Sequence, residues 1–350
     1  MPFSLLRPLD YARIIVGWLS VFLLPIGGLS PYIQLTLIIG VILFCSFGVV
    51  VMAERLAHIL GDPFGSLILT LSIVIIEVLL ISAVMLGPGE VATAGRDSVM
   101  AVSMIIMALV VGLCLLIGGL RHGSMSHNGV GMPTYLVLIS VFSAVSFAVP
   151  AVMGEYSPAQ AVIVAVLVIV VYGFFLFRQM GVQAADFQEV EAVEKATDAR
   201  PGEVLLRSLV LIITVLPIVV LSKDMATEMN VVLNALGAPV AFAGLIIATI
   251  VFLPETITSL RAAWGGELQR VTNLAHGAQV STVGLTIPSV LIIGVITGKE
   301  VIVGESPINL LLLGTTIVVT AIAFGSKKVN PVHGAVLLML FVLYMMSMVD

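Results

Sequence analysis

Charged residues are scarce in this chain. Only 10% of its 350 residues are Asp, Glu, Lys or Arg, whereas soluble domains contain about 25%. The 15 cationic residues are outnumbered by 20 acidic ones, and they form no basic stripe that could follow a phosphate backbone. This composition excludes a soluble enzyme, a disordered tail and a nucleic-acid-binding protein.

Cysteine is also rare. The two cysteines, Cys45 and Cys114, both lie inside long apolar runs. Such positions favour packing in a hydrophobic core over a disulfide bond. We therefore expect two buried, unpaired thiols.

What the chain does contain is long apolar runs. Hydrophobic residues make up 60% of it, and its mean hydropathy is +1.21. Because a helix needs roughly 20 apolar residues to span a bilayer, the sequence predicts an all-α polytopic membrane protein. Hydropathy and turn residues predict about eleven transmembrane helices. Their ranges are 11–29, 34–57, 64–87, 98–120, 134–153, 159–179, 204–222, 238–260, 270–297, 306–324 and 332–349.

The cationic residues indicate how these spans are oriented. If the N-terminus is cytoplasmic and the first span is not cleaved, only Arg96, Lys223 and Lys299 fall on the outer side. An excess of Lys and Arg on the cytoplasmic side is typical of membrane proteins, which supports this orientation and an odd number of spans. The cytoplasmic residues are Arg7, Arg13, Arg55, Arg121, Arg178, Lys195, Arg200, Arg207, Arg261, Arg270, Lys327 and Lys328.

An acidic segment, residues 183–203, follows the sixth span. We interpret it as a solvated cytoplasmic linker; an acidic amphipathic helix that gathers cations near an entrance is the alternative. The linker separates an extra first helix (1–32) and a five-helix repeat (33–182) from a second five-helix repeat (204–350). Because five is odd, the repeats must have inverted orientations, and inverted repeats place substrate sites near the bilayer midplane. The acidic residues of the segment 183–203 are Asp186, Glu189, Glu191, Glu194, Asp198 and Glu203.

Two acidic residues lie deep inside apolar spans. Glu77 is near the middle of the third span and Glu255 lies within the eighth, so they occupy the second helix of each repeat. A charge at the bilayer centre costs about 2.5–3.5 kcal/mol or more. The alternative is a carboxyl group that is always protonated or that hydrogen-bonds across helices. The matched positions favour a function as ion and proton ligands.

Two serines repeat at the same spacing. Glu255 follows Glu77 by 178 positions (255 − 77), and Ser281 follows Ser103 by 178 positions (281 − 103). Each repeat therefore offers a glutamate and, 26 positions later, a serine on the next helix. With inverted topology, the four side chains form a plausible cage of two carboxylates and two hydroxyls.

Two prolines accompany this set. Pro254 and Pro288 lack an N–H, so the carbonyls of Ile250 and Gly284 lose their helical partners. Freed carbonyls at membrane depth are tolerated where they face protein or a cavity, and there they can bind cations. The alternative is a simple helix kink at each proline.

The ninth span is unusually polar. Gln279 is a candidate amide ligand or gate residue. Asn273 and His276 of this span and Ser72 of the third are possible accessory residues. His276 could sense pH, although a lone histidine is more often a structural residue.

Oxygen ligands of these types suit hard cations such as calcium or sodium, and protons bind the same groups. Burial disfavours a charged carboxylate, so an empty site should hold protons and a bound cation should expel them. The two acids could thus release up to two protons per divalent cation. The expected partners are inorganic cations, protons and the lipid bilayer, with no cofactor and no nucleic acid.

Several stretches resemble a known family. They are Gly-Asp-Pro-Phe-Gly at 61–65 with Glu77, then 96–98 with 118–122, and 253–255 with 268–270, Asn273 and 281–288. In these stretches the chain resembles the calcium/cation antiporter superfamily, in its cation/proton exchanger branch, and the bacterial ChaA-type antiporters within it. The resemblance covers most of the chain after the first span.

The resemblance implies an extra first helix and two inverted five-helix repeats in the inner membrane of a bacterium. It implies efflux of calcium, sodium or potassium driven by the proton gradient, with Glu77 and Glu255 as shared ligands. The broader calcium/proton exchangers carry Asn before each Glu, where this chain has Val74 and Phe252, and Gln279 has Ala101 as its partner at the 178 offset. The transported ion therefore stays open.

Two other classes of protein, a passive channel and an intramembrane enzyme, fit the sequence less well. A passive cation channel usually has a ring of identical residues or a filter segment, and no such segment is evident. An intramembrane enzyme would need a metal cluster or a nucleophile elbow, and neither motif occurs. The sequence therefore favours a secondary transporter.

Overall fold

The computed structural model describes residues 6–24, 28–60, 64–86, 92–127, 129–187, 201–237, 241–326 and 328–348. The fold is almost entirely helical, with one pair of two-residue strands, β1 (Met125–Ser126) and β2 (Lys328–Val329). The helices are α1 Pro8–Leu23, α2 Pro31–Leu60, α3 Phe64–Leu86, α4 Ala94–Met104, α5 Val111–His122, α6 Met132–Ser143, α7 Val149–Met153, α8 Pro158–Met180, α9 Pro201–Leu236, α10 Ala241–Gly265, α11 Leu268–Ser281, α12 Ile287–Thr297, α13 Pro307–Gly325 and α14 Pro331–Ser347.

Short π-helical turns join three pairs of these helices into continuous segments, at Ile105–Val110, Ala144–Ala148 and Thr282–Thr286. The described chain therefore forms eleven helical segments, which confirms the predicted all-α architecture. Eight of them are long and apolar enough to cross a membrane. The chain is thus an integral membrane protein.

The seventh predicted span, 204–222, is too short. Helix α9 runs over 36 residues from Pro201 to Leu236 with Pro217 inside it, a length of about 54 Å at 1.5 Å per residue. Lys223, assigned above to an outer loop, lies within this helix because no strong helix breaker follows it before Gly237. Glu203, assigned to the linker, lies in the first turn of α9 and pairs with Arg207 at 2.6 Å.

The centre of the bundle is formed by the two segments with π turns that flank the glutamate-bearing helices. In the most apolar 18-residue stretch of each segment, 78% of the residues are buried in α4–α5 and 61% in α11–α12. In the peripheral helix α8 the share is 28%. Helix α10 packs against α4, and α3 packs against α11. The glutamate-bearing helices α3 and α10 are thus held against the interrupted segments.

Contacts between loops define two faces of the bundle. The β1–β2 pair joins the loops after α5 and α13, and His122 at the end of α5 contacts the carbonyl of Trp264 near the end of α10. We call this side the linker face, because α8 ends and α9 begins there. Ala92 and Glu155 both contact the loop 298–306 at the opposite side, the far face. Residues 61–63 of the first signature and 188–200 of the linker lie outside the described residues.

Helix α1 is fixed to the bundle by ionic contacts at the linker face. Asp10 is buried and lies 2.8 Å from Arg55 of α2 and 3.6 Å from Arg13. Both cysteines are buried and free, and the thiol of Cys45 contacts the carbonyl of Arg13. The extra first helix therefore packs as an integral part of the structure.

Candidate ion-exchange site

The structure brings the two predicted glutamates close together. Glu77 of α3 is completely buried and Glu255 of α10 is 6% exposed. Their carboxyl groups are close enough to repel each other when both are charged. Two buried acids at this depth need a cation or protons to offset their charge.

Two hydroxyl groups from the π turn Thr282–Thr286 lie next to Glu77. The Oγ1 of Thr282 donates a hydrogen bond to Oε2 of Glu77 at 2.8 Å. Thr286 lies close to the same carboxyl, and its own Oγ1 is buried without a partner at hydrogen-bond geometry. Oε1 of Glu77 is also buried and unpartnered. The carboxyl group is thus fixed on one side and has a free acceptor on the other.

Gln279 and Ser103 link the two interrupted segments. Nε2 of Gln279 donates to Oγ of Ser103 at 2.8 Å, and that hydroxyl donates to the carbonyl of Val99. Oε1 of Gln279 is buried and without a partner. Since both side chains are completely buried, the pair positions one free amide oxygen inside the bundle.

Ser281 is engaged differently from Ser103. Its hydroxyl is 2.7 Å from Oη of Tyr172 on α8 and donates to the carbonyl of Gly277. The two serines thus hydrogen-bond to an amide, a phenol and backbone carbonyls. Within the described residues, the hydrogen bonds of these serines therefore do not reach a glutamate, and Thr282 is the hydroxyl that contacts a carboxylate directly.

A cleft lies beside Glu255. It has room for about one water molecule and lies between α10, α11 and the π turn Ile105–Val110. Thr256 and Ser259 continue the polar lining on α10. The remaining lining residues are Ile106, Val110, Phe252, Leu274, Ala275 and Ala278. Glu255 therefore borders this cleft, and Glu77 is not among the residues that line it.

The prolines lie next to the site. Pro254 directly precedes Glu255 within the continuous helix α10. Pro288 is the second residue of α12, immediately after the π turn Thr282–Thr286. Both prolines therefore mark positions where the regular helical hydrogen-bond pattern is interrupted near a candidate ligand.

The accessory candidates are more dispersed. Asn273 donates to the carbonyl of Phe187 at 2.6 Å and accepts from Gln269, so it holds the start of the linker rather than the glutamates. His276 is completely buried, and its Nδ1 contacts the carbonyl of Thr272. Ser72 is buried on α3, five residues before Glu77.

The far face is closed over the site by ionic contacts to the loop 298–306. Arg96 donates to the carbonyl of Gly304 at 2.8 Å and lies 3.5 Å from Glu305. The carboxylate of Glu155 accepts from the backbone N–H groups of Val303 and Gly304. Burial raises the pKa of Glu305, although Arg96 opposes that shift. These contacts hold the loop 298–306 against the start of α4 and against the segment between α7 and α8.

Sequence analysis missed Thr282, Thr286 and Tyr172. Thr282 follows the predicted Ser281 directly, and Thr286 stands one helical turn later, so the spacing was a usable signal. Tyr172 lies on α8, whose sequence pattern gives no indication of the contact. Among the described residues no group of three or more His, Cys, Asp or Glu side chains could hold a metal ion, so neutral oxygens must complete any cation site.

Comparisons with known proteins show the family of the chain. A family model described as sodium/calcium exchanger protein matches residues 30–181 and 207–349. The chain is 32% identical over 352 residues to the "Sodium-potassium/proton antiporter ChaA" of Escherichia coli (strain K12). This alignment covers 98% of this chain and 95% of that protein. It is 33% identical over 319 residues to the "Putative ionic transporter y4hA" of Sinorhizobium fredii, over 88% of this chain and 86% of the relative.

Two solved structures have similar folds. The structure of native YfkE superposes with a TM-score of 0.75 and 16% identity, over 99% of both chains. The crystal structure of the H+/Ca2+ exchanger CAX gives a TM-score of 0.76 and 14% identity, over 96% of this chain and 87% of that one. At these identities the likeness concerns the fold.

Proposed function

Because the chain belongs to the sodium/calcium exchanger protein family, and within it to the membrane cation/proton antiporters, we propose that it exchanges cytoplasmic sodium, potassium or calcium for protons. Glu77 and Glu255 serve as the shared ligands of the cation and the protons. The observation that carries the proposal is the pair of buried carboxyl groups, one on each of two helices that meet inside the bundle.

The unpartnered oxygens beside this pair are suitable cation ligands. Oε1 of Glu77, Oε1 of Gln279 and Oγ1 of Thr286 are all buried without hydrogen-bond partners. Leaving such groups unsatisfied costs about 1–3 kcal/mol each. Carboxylate, amide and hydroxyl oxygens are the ligands that hard cations prefer. A dehydrated cation that binds here would satisfy these oxygens and displace protons from the glutamates.

An inverted repeat supports alternating access to this site. The π turns Ile105–Val110 and Thr282–Thr286 fall at equivalent positions of the 178-residue offset, and the family model matches two separate stretches on either side of the linker. In such transporters, the two halves move around a fixed midplane site. In the proposed orientation the linker face is cytoplasmic, so the Glu255 cleft is the cytoplasmic approach and the loop 298–306 closes the outer one.

The names of the relatives support the choice of ions. One is a sodium-potassium/proton antiporter, and another, 22% identical over 257 residues, is the "Ca(2+)/H(+) antiporter" of Aphanothece halophytica. Since one carboxylate pair and several neutral oxygens can bind either type of cation, the proposal covers both monovalent and divalent ions.

Flux into proteoliposomes distinguishes this function from a passive cation channel. Purified protein is reconstituted, and uptake of radioactive sodium, rubidium or calcium is followed with and without an imposed proton gradient, with the membrane voltage clamped to zero by an ionophore. We expect the gradient to drive cation accumulation and the cation gradient to drive proton movement. Cation flux that never responds to the proton gradient would overturn the proposal.

A further inference from the structure

Two histidines flank one phenylalanine between the candidate site and the linker face. His127 lies in the loop after β1, and its ring meets that of Phe324 edge-on at 5.1 Å. His276 of α11 meets the same ring edge-on at 5.2 Å. The two imidazoles are close enough to interact electrostatically. The β1–α11 contact holds the loop in this position.

The hydrogen bonds of the two rings fix where their protons are. Nδ1 of His276 lies 3.1 Å from the carbonyl of Thr272, and Nε2 of His127 lies 3.0 Å from the carbonyl of Phe324. A carbonyl only accepts, so each of these nitrogens must carry the hydrogen. The second nitrogen of a neutral imidazole is then a bare acceptor.

Both bare nitrogens are buried without a partner. They are Nε2 of His276 and Nδ1 of His127. One helical turn beyond His276, Oε1 of Gln279 is a third buried acceptor without a partner. Buried acceptors without protein partners are usually satisfied by ordered water. His276 thus lies one helical turn from Gln279 and shares the ring of Phe324 with His127.

The surroundings of His276 contain few other ionisable groups. Tyr135 of α6 stacks on its ring at 6.4 Å and accepts a hydrogen bond from Gln179. Helices α3 and α10, which also pack against α11, contribute Glu77 and Glu255. Burial lowers the pKa of His127, although its bond to the Phe324 carbonyl opposes the shift. Burial therefore favours the neutral form of the His127 ring.

We propose that His276 and His127 carry protons between the glutamate site and the linker face, along a path separate from the Glu255 cleft. The inference rests on the proposed antiport function. In each transfer a water bonded to Nε2 of His276 gives it a proton and takes one from the site side. The imidazolium of His276 then returns its Nε2 proton to water, which passes it to Nδ1 of His127. Because that nitrogen is buried, it gives the proton to a further water, which carries it to the linker face. Each ring gains and loses its proton at the bare nitrogen, so neither needs to change its bond to a carbonyl.

A separate proton path predicts a specific pattern of defects. The substitutions His276→Gln and His127→Gln remove the titrating nitrogen, while the cleft and the cation ligands remain. We expect each to slow cation/proton exchange by about tenfold or more, since a positioned acid–base group contributes about 10²–10⁴-fold to a proton transfer. Exchange of a labelled cation for the same unlabelled cation, which needs no net proton movement, should stay near the wild-type rate.

The double variant tests whether the two residues share one path. We expect His127→Gln combined with His276→Gln to be no slower than the worse single variant. The matched control is His122→Gln. Nε2 of His122 also contacts a backbone carbonyl at the linker face, that of Trp264, at 2.9 Å, but the ring of His122 is exposed. This control should leave both exchange modes unchanged.

The outcomes separate the inference from the proposed function. If His276→Gln folds poorly, the loop variant His127→Gln still gives the test. Equal loss of cation/cation and cation/proton exchange in the histidine variants, or wild-type rates of both, would overturn the relay while leaving the antiporter intact. Absence of proton-coupled flux in the wild-type protein would instead overturn the proposed function.

Discussion

The two interrupted segments, α4–α5 and α11–α12, share a backbone design and differ in chemistry. Each has a π turn at the equivalent depth and a serine at the equivalent position. At several other equivalent positions the first segment is apolar where the second is polar, and three of them lie close to the serine or in the π turn. These pairs are Ala101 and Gln279, Met104 and Thr282, and Ala108 and Thr286.

This difference gives the two glutamates unequal surroundings. Thr282 of the second segment bonds Glu77 of the first half, whereas the equivalent Met104 can offer Glu255 no such bond. Glu255 instead borders the cleft and retains some exposure. Two similar interrupted segments thus surround a one-sided candidate site, in which Thr282 bonds the Glu77 carboxyl and Glu255 borders the cleft.

Removal of either glutamate should have the largest effect. We expect Glu77→Gln and Glu255→Gln each to reduce coupled exchange in proteoliposomes to background, because an amide cannot exchange a proton for a cation. The control is Glu267→Gln, an exposed glutamate that pairs with Arg270 at 3.2 Å, which should retain full activity. Coupled transport retained by both site variants, with folded protein in the membrane, would refute the site assignment.

Thr282 tests the asymmetry itself. Hydrogen bonds to charged groups contribute about 1.5–3 kcal/mol, and 1.4 kcal/mol corresponds to tenfold in affinity. We therefore expect Thr282→Val to weaken apparent cation affinity by about tenfold or more, and Thr282→Ser to restore most of it. The measurement is the cation dependence of the exchange rate. An unchanged affinity in Thr282→Val would show that Glu77 does not depend on this bond.

The serines should matter less than Thr282. Ser103 bonds Gln279 and Ser281 bonds Tyr172, and a neutral hydrogen bond contributes about 0.5–1.5 kcal/mol. We expect Ser103→Ala and Ser281→Ala each to weaken apparent cation affinity by roughly two- to tenfold, in the same assay. Complete loss of exchange in either variant, with normal folding, would mean that the serines bind the ion directly.

The linker should give the smallest effect. Replacement of Glu189, Glu191, Glu194 and Asp198 by their amides removes four negative charges from the linker that the sequence predicts to be cytoplasmic. We expect a shift of apparent cation affinity by a few-fold that fades at high ionic strength, because exposed charges are screened within about 8–10 Å. Abolished transport would assign the linker a more direct part in the exchange cycle.

The architecture could be predicted from sequence because apolar length and turn residues specify membrane helices directly. The eleven segments and the paired depth of Glu77 and Glu255 follow from hydropathy alone. The end of α9 could not be placed, since a charged stretch such as Lys223 to Glu228 can continue a helix once a neighbouring helix, here α2, packs along it.

The details of the site depend on rotation about the helix axes, which sequence spacing leaves open. Ser281 and Thr282 are adjacent in sequence, yet one faces Tyr172 and the other faces Glu77. The π turn that begins at Thr282 changes the angular position of the residues after it. For this reason the two serines of the predicted cage bond the amide of Gln279 and the phenol of Tyr172. The hydroxyl that bonds a carboxylate is that of Thr282.

The central claim is that the two glutamates exchange protons for a cation, and proton release on cation binding measures it directly. Purified protein in weakly buffered solution near neutral pH is mixed separately with sodium, potassium and calcium chloride, with choline chloride as the ionic-strength control. We expect at least one cation to release protons from the wild-type protein, less from Glu77→Gln and Glu255→Gln, and none from the double variant. Undiminished release from the folded double variant would contradict the assignment of both residues.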